Sequence, residues 1–132
     1  MPLRRYWDKT DATIIHVDVL GRYTWDEFDT EITALTHLLD HASYPVVIIW
    51  DISHAAPMPP QDAFEHLEKA IEGFPENVEL SVVVGTMGVF ERVMWNKVTA
   101  LYKHVGSAIL FVESIEDAYV KIANQRISTA QT

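Results

Sequence analysis

The chain has 132 residues, 48% of them hydrophobic and 22% charged, which fits one globular domain, 1–132, able to bury a core without disulfides or a structural metal. The formal net charge is −9 and no basic cluster exceeds Arg4-Arg5, which argues against nucleic acid and anionic membrane surfaces as partners. Cysteine is absent, which excludes thiol catalysis and thiolate metal sites and is compatible with a reducing cytoplasm, the expected location.

The N-terminal arginines are not followed by an apolar h-region, so no signal peptide is expected. No apolar run approaches the roughly 20 residues needed to span a bilayer, so no membrane insertion is expected. Leu3 to Asp8 and Thr13 to Leu20 read as two strands joined by the polar Lys9-Thr10-Asp11-Ala12, short enough for an antiparallel hairpin. In the second strand Ile15, Val17 and Val19 alternate with His16 and Asp18, which predicts one buried and one wetter face. Gly21-Arg22-Tyr23 turns the chain into a helix. Thr24 and Glu27 have capping-box spacing, and Trp25, Phe28, Ile32, Leu35 and Leu39 form an apolar stripe to about His41.

Val46-Val47-Ile48-Ile49-Trp50 is a continuous apolar run and predicts a central strand buried on both faces. It breaks off in Asp51, Ser53 and His54, polar groups at the end of the sheet where open α/β folds place their working surface. Pro57-Met58-Pro59-Pro60 stiffens the following loop, and Pro59 or Pro60 suits the first turn of a second helix. Phe64, Leu67, Ile71 and Phe74 mark its buried side, and Gly73 and Pro75 stop it. Leu80 to Val84 is the fourth strand. Gly85-Thr86-Met87-Gly88 then leads into a third helix with Phe90, Met94, Trp95, Val98, Leu101 and Tyr102. Ala108 to Val112 is the fifth strand. Ser114 and Asp117 cap a last helix carrying Ile115, Ala118, Tyr119 and Ile122, before a polar tail from Ser128 that is expected to fray. The order β-β-α-β-α-β-α-β-α predicts an α/β fold: one mixed, mostly parallel five-stranded sheet with four helices and right-handed crossovers.

Three local features accompany that order: Tyr23-Thr24-Trp25-Asp26-Glu27 opening the first helix, Val47-Ile48-Ile49-Trp50-Asp51-Ile52 as a strand ending in Asp, and Glu113-Ser114-Ile115-Glu116-Asp117-Ala118 opening the last helix. Together they resemble the STAS fold of sulfate transporters and anti-sigma-factor antagonists, and especially its SpoIIAA-like group. The resemblance implies a non-enzymatic regulatory or protein-interaction module. In antagonists of that family a Ser or Thr at the start of the helix after the central strand is phosphorylated to release a partner kinase. The matching segment here, Pro57-Met58-Pro59-Pro60-Gln61-Asp62, carries no hydroxyl, so the phosphoswitch is expected to be missing, with Asp62 at most a fixed negative charge. Ser53 is the nearest alternative and is expected to be poorly accessible behind the buried strand.

Other constellations are weaker than motifs. His37 and His41 at i, i+4 lack an intervening general-base Glu and a third ligand, and Asp62 and His66 fit an ordinary solvated face, so no metal site is expected. Asp51, Ser53 and His54 contain fragments of a triad without a nucleophile elbow. Gly85-Thr86-Met87-Gly88 matches neither G-x-G-x-x-G nor a P-loop, and no cofactor is expected. The third helix carries an apolar surplus: Met87, Phe90, Met94, Val98 and Leu101 make one face, and Trp95 and Tyr102 widen it. Such a surplus suits an interface, here a homodimer or another protein. The expected working surface is therefore Asp51, Ser53, His54, Met58 and Asp62 with Thr86, Met87, Phe90 and Met94. The alternative is a small apolar-ligand or lipid-binding domain with a pocket between the third helix and the sheet, and a third reading is an enzyme using Asp51 and His54.

Overall fold

A computed structural model describes residues 2–101 and 109–130, with side chains through 128. Its elements are β1 (Leu3–Trp7), β2 (Ile14–Gly21), α1 (Trp25–Asp40), β3 (Val46–Ala55), α2 (Ala63–Glu72), β4 (Val78–Val84), α3 (Val89–Leu101), β5 (Ile109–Val112) and α4 (Ile115–Ala130). The strands form one sheet in the order β1-β2-β3-β4-β5. β1 pairs antiparallel with β2 and the other three pairings are parallel, the expected mixed sheet. Tyr102 and Ala108, expected in α3 and β5, lie outside the described residues. No helix among the described residues is long and apolar enough to cross a membrane.

Strand order decides which side each helix takes. Four parallel strands laid down in chain order, joined by crossovers of one hand, send every connecting helix to the same face. Leu35 and Leu39 of α1 accordingly pack on Ile15, Val17, Val46 and Ile48. The α2 residues Ala63, Leu67 and Ile71 gather with Trp25 of α1 and Val98 of α3 in a cluster of helices. The opposite face is left to α4, whose Ala118 and Ile122 cover Ile14, Val47, Ile49, Leu80, Val82, Val84 and Val112.

Local chemistry sets the helix ends. Thr24 Oγ1 accepts from the Glu27 N–H at 3.1 Å and Glu27 Oε1 from the Thr24 N–H at 2.9 Å, the capping box expected. The far end of α1 is held by Asn77, whose amide donates to the carbonyls of Leu39 (2.9 Å), Ala42 and Tyr44 (3.3 Å each). The α2 start differs from expectation. The prolines stay in the loop, and the helix begins at Ala63 behind Asp62, which caps at φ 60° with no side-chain hydrogen bond. Aspartate tolerates that left-handed backbone, which a proline cannot adopt. α4 is helical to Ala130, and residues 131 and 132 of the tail expected to fray from Ser128 lie outside the described residues.

The wetter face of β2 is buried as well. His16 is only 5% exposed because α4 lies across it. The Tyr119 hydroxyl of α4 donates to Asp8 Oδ1, and His16 Nε2 donates to the same oxygen at 2.7 Å. Asp8 Oδ2 accepts from the Thr10 and Asp11 N–H groups and the Thr10 hydroxyl, which closes the β1–β2 turn. Two turns further along α4, Arg126 donates to Asp11 Oδ2 at 3.0 Å and to Thr13 Oγ1 at 2.8 Å. Burial pushes the Asp8 carboxyl up, but the hydrogen bonds from His16, Tyr119 and Thr10 outweigh it and hold it well below the ordinary carboxylate range. Burial, and then the bond to Asp8, pushes the Tyr119 phenol up.

A carboxylate with a depressed folded-state pKa stabilises above its unfolded pKa and loses that contribution as pH falls. Asp8→Asn is expected to cost roughly 2 kcal/mol at pH 7, the range for a buried hydrogen bond to a charged group. The gap between variant and wild type should narrow as pH drops below about 4, the unfolded carboxyl value, in urea titrations across that range. A gap that stays constant down to pH 2 would count against this role for Asp8.

Candidate functional site

The helical cluster around Trp25 packs helix on helix, and between it and the sheet lies a chamber of about 300 Å3. That volume is at the lower end of the range for small-molecule sites. Pleat parity supplies its floor. Trp50 and Ile52 of β3, Ser81 and Val83 of β4, Leu3 of β1 and Val19 of β2 face this side. Its roof is the upper part of the α1 stripe, Trp25, Phe28 and Ile32, with Leu67, Ala70 and Ile71 of α2. Small residues create the space: Ala55, Ala56, Ala70 and Ser81 line it where longer side chains would fill it.

The chamber opens at the carboxyl ends of β3 and β4. There its lining passes from buried residues such as Leu67, Ile71 and Val83 to exposed Pro57, Thr86 and Gly88. Glu91, in the first turn of α3, brings a carboxylate to this mouth. Its Oε1 accepts from the Met58 N–H at 2.9 Å, tying the proline loop to α3. The side chain folds back over Gly88, where an added Cβ would meet Oε2 at 2.5 Å, so the residue at this position must be glycine or displace the carboxylate. Among the described residues Glu91 forms no salt bridge. Tyr23 lines the same space, and burial, then the charge of Glu91, pushes its phenol up to about 12.

Aromatic contacts brace the roof. Trp25 is 9% exposed, stacks on His66 at 4.8 Å and meets Phe28 edge-on at 5.2 Å. His66 Nδ1 lies 3.0 Å from an Asp29 oxygen on α1, so it bridges α1 and α2 instead of pairing with Asp62 as its spacing suggested. Among the described residues Trp25 Nε1 is the one fully buried side-chain nitrogen or oxygen without a hydrogen-bond partner. An unpaired buried donor is costly.

The residues expected at the working surface separate into three groups. Met58, Thr86 and Met87 line the chamber near its mouth, and Met94 packs against the helical cluster. Asp51 lies at the last register position shared with β4, and its Oδ1 accepts from the N–H (2.9 Å) and hydroxyl (2.5 Å) of Ser53. β3 does not end there but runs on to Ala55 beside β2, so Ser53 and His54 are strand residues. Ser53 is exposed, contrary to the expectation that it is shielded, and among the described residues the His54 side chain has no hydrogen-bond partner. Asp62 is an exposed helix cap away from the chamber lining. Phe90 and Leu101, expected on one apolar face of α3 with Phe90 at the working surface, are 37% and 64% exposed, and α3 buries only Val98 fully. His37 and His41 serve the end of α1, where His41 Nδ1 donates to the His37 carbonyl at 2.7 Å.

Reasoning from sequence missed Tyr23, Glu91 and the small residues Ala70 and Ser81. The signal for Glu91 was an acidic residue three positions after Gly88, at a strand-to-helix junction. Nothing in the local pattern marks Ala70 or Ser81 as chamber-forming.

Trp50 stacks on Phe74 at 6.3 Å and is a chamber wall as well as a core residue. Trp50→Ala is expected to cost about 3 kcal/mol, the low end for aromatic truncation, because one side of the ring already faces open volume. A urea midpoint shift worth under about 1 kcal/mol would show that the ring is not packed between sheet and helices.

Compared with known families and curated proteins, the chain matches no family model and no curated relative.

Proposed function

We propose that this protein is a non-enzymatic binding module that takes a small apolar molecule into the chamber between the sheet and α1, α2 and α3. The observation that carries the reading is the chamber: about 300 Å3, with aromatic and aliphatic walls and few polar groups at one end. The element order and the Tyr23–Glu27, Val47–Ile52 and Glu113–Ala118 segments support a role of STAS/SpoIIAA-like type, in which a small domain reports a state to a partner. The segment 57–62, which matches the phosphorylated position of that family, has no hydroxyl but contributes Pro57 and Met58 to the chamber. Ligand occupancy would then do at this loop what phosphate does in the family. The reading as an enzyme has less support, since among the described residues Asp51 and His54 share no hydrogen bond.

A second reading has its own observation. Val89, Phe90 and Val93 of α3 are 83%, 37% and 48% exposed, and Phe111 of the edge strand β5 is 49% exposed. Exposed apolar side chains of this kind suit self-association or a protein partner.

Native mass spectrometry and displacement of a neutral fluorescent amine, N-phenyl-1-naphthylamine, test the first reading. The wild type is expected to bind the dye, and Ala70→Leu, which fills the chamber while keeping a good helix former, to lose binding and keep its fold. A ligand at a hundred times its Kd should stabilise the wild type by about 2.7 kcal/mol in thermal melts and leave the variant unmoved. Equal dye binding by both would place the dye elsewhere and defeat the reading. For the second, sedimentation at tens of micromolar is expected to show a dimer, and a sole 15.0 kDa species would refute it.

A further inference from the structure

The polar groups of the chamber decide what head group its ligand carries. This inference rests on the apolar-ligand reading and deepens it. Glu91 supplies an acceptor at the mouth and forms no salt bridge among the described residues. Tyr23 lines the same space and supplies an O–H. The Tyr23 phenol, pushed up to about 12, stays protonated at any ordinary pH and remains a donor.

A carboxylate head group only accepts, and in this mouth it would set a second negative charge against the unbridged Glu91. An ammonium only donates and suits Glu91. A hydroxyl does both: it can donate to Glu91 and accept from Tyr23. The chamber, about 300 Å3 and open at its mouth, encloses a short apolar body and lets a larger molecule extend outward. The geometry points to a ligand that is a short neutral or cationic amphiphile, its donor head on Glu91 and its apolar body against Trp50 and Trp25, with fatty carboxylates rejected. Glu91 is then the specificity-determining residue of the site.

The test compares 1-octanol, octylamine and octanoate as displacers of N-phenyl-1-naphthylamine from the wild type at pH 8. Sodium chloride at 0.5 M screens the overall negative charge of the chain and leaves close, half-buried interactions less affected. Octanol and octylamine are expected to displace the dye with octanoate at least tenfold weaker. In Glu91→Gln, which keeps an acceptor oxygen for the Met58 N–H, octanoate should strengthen several-fold, octylamine weaken several-fold and octanol change little. Octanoate within threefold of octanol on the wild type would overturn the head-group assignment while the apolar chamber stands. Failure of the dye and all three amphiphiles to bind would overturn both. The wild-type comparison decides the matter even if Glu91→Gln does not fold.

Discussion

The parallel run of β2, β3, β4 and β5 in chain order is the constraint on which everything else in this fold depends. Because each crossover has the same hand, three helices must share one face of a five-stranded sheet. A single sheet face cannot be covered evenly by three helices that also pack on one another. Leu35 and Leu39 of α1 reach the floor near the amino ends of the strands, while α2 and α3 bury Leu67, Ile71 and Val98 against Trp25. The chamber is the space left where helix-on-helix packing wins over helix-on-sheet packing. Its position at the carboxyl ends of the strands follows from the same winding, since that is where the crossover loops depart.

The crowded face has an edge that depends on close backbone approach. β3 outlasts β4, and Gly85 turns away at φ 129° with its Cα against Ile52 and Ser53. A Cβ there would meet Ile52 Cγ1 and the Ser53 N–H nitrogen at 3.0 Å. A left-handed backbone and two near contacts make this a position for glycine on both counts. The following Thr86-Met87-Gly88 is thereby led over the mouth toward Glu91. Met58 and Glu91, 33 residues apart, are joined by one hydrogen bond, so the loops after β3 and β4 share a brace at the ligand's point of entry.

Much of this architecture is legible in the residues. The Val46–Trp50 run, the Thr24–Glu27 box and the Trp25-to-Leu39 stripe each state a local preference that the tertiary structure keeps. The errors share a cause. Alternation in β2 reports which residues share a face, not what lies on that face, so His16 reads as wet although α4 buries it. The apolar surplus of α3 is visible, but its division into inward Val98 and outward Val89, Val93 and Leu101 depends on where α2 lies. Ser53 looks shielded until β3 is seen to continue past the end of β4. The site was least legible of all: a chamber is a property of what is too small to fill a space, and Ala70 and Ser81 carry no periodic signature.

The lone helix on the opposite face has a consequence for how the chain is made. α4 emerges from the ribosome after all five strands, yet among the described residues it is the helix that covers Ile14, Val47, Ile49 and Val82, and its Tyr119 closes on Asp8, 111 residues earlier. At about 5–20 residues per second, the nascent sheet presents an uncovered β-branched surface for roughly 4–15 s between completion of β3 and completion of α4. During that interval the N-terminal hairpin has its turn but not its cover. This β-branched face therefore stays uncovered later in translation than the face that α1, α2 and α3 cover, a hazard for strand-to-strand misassociation.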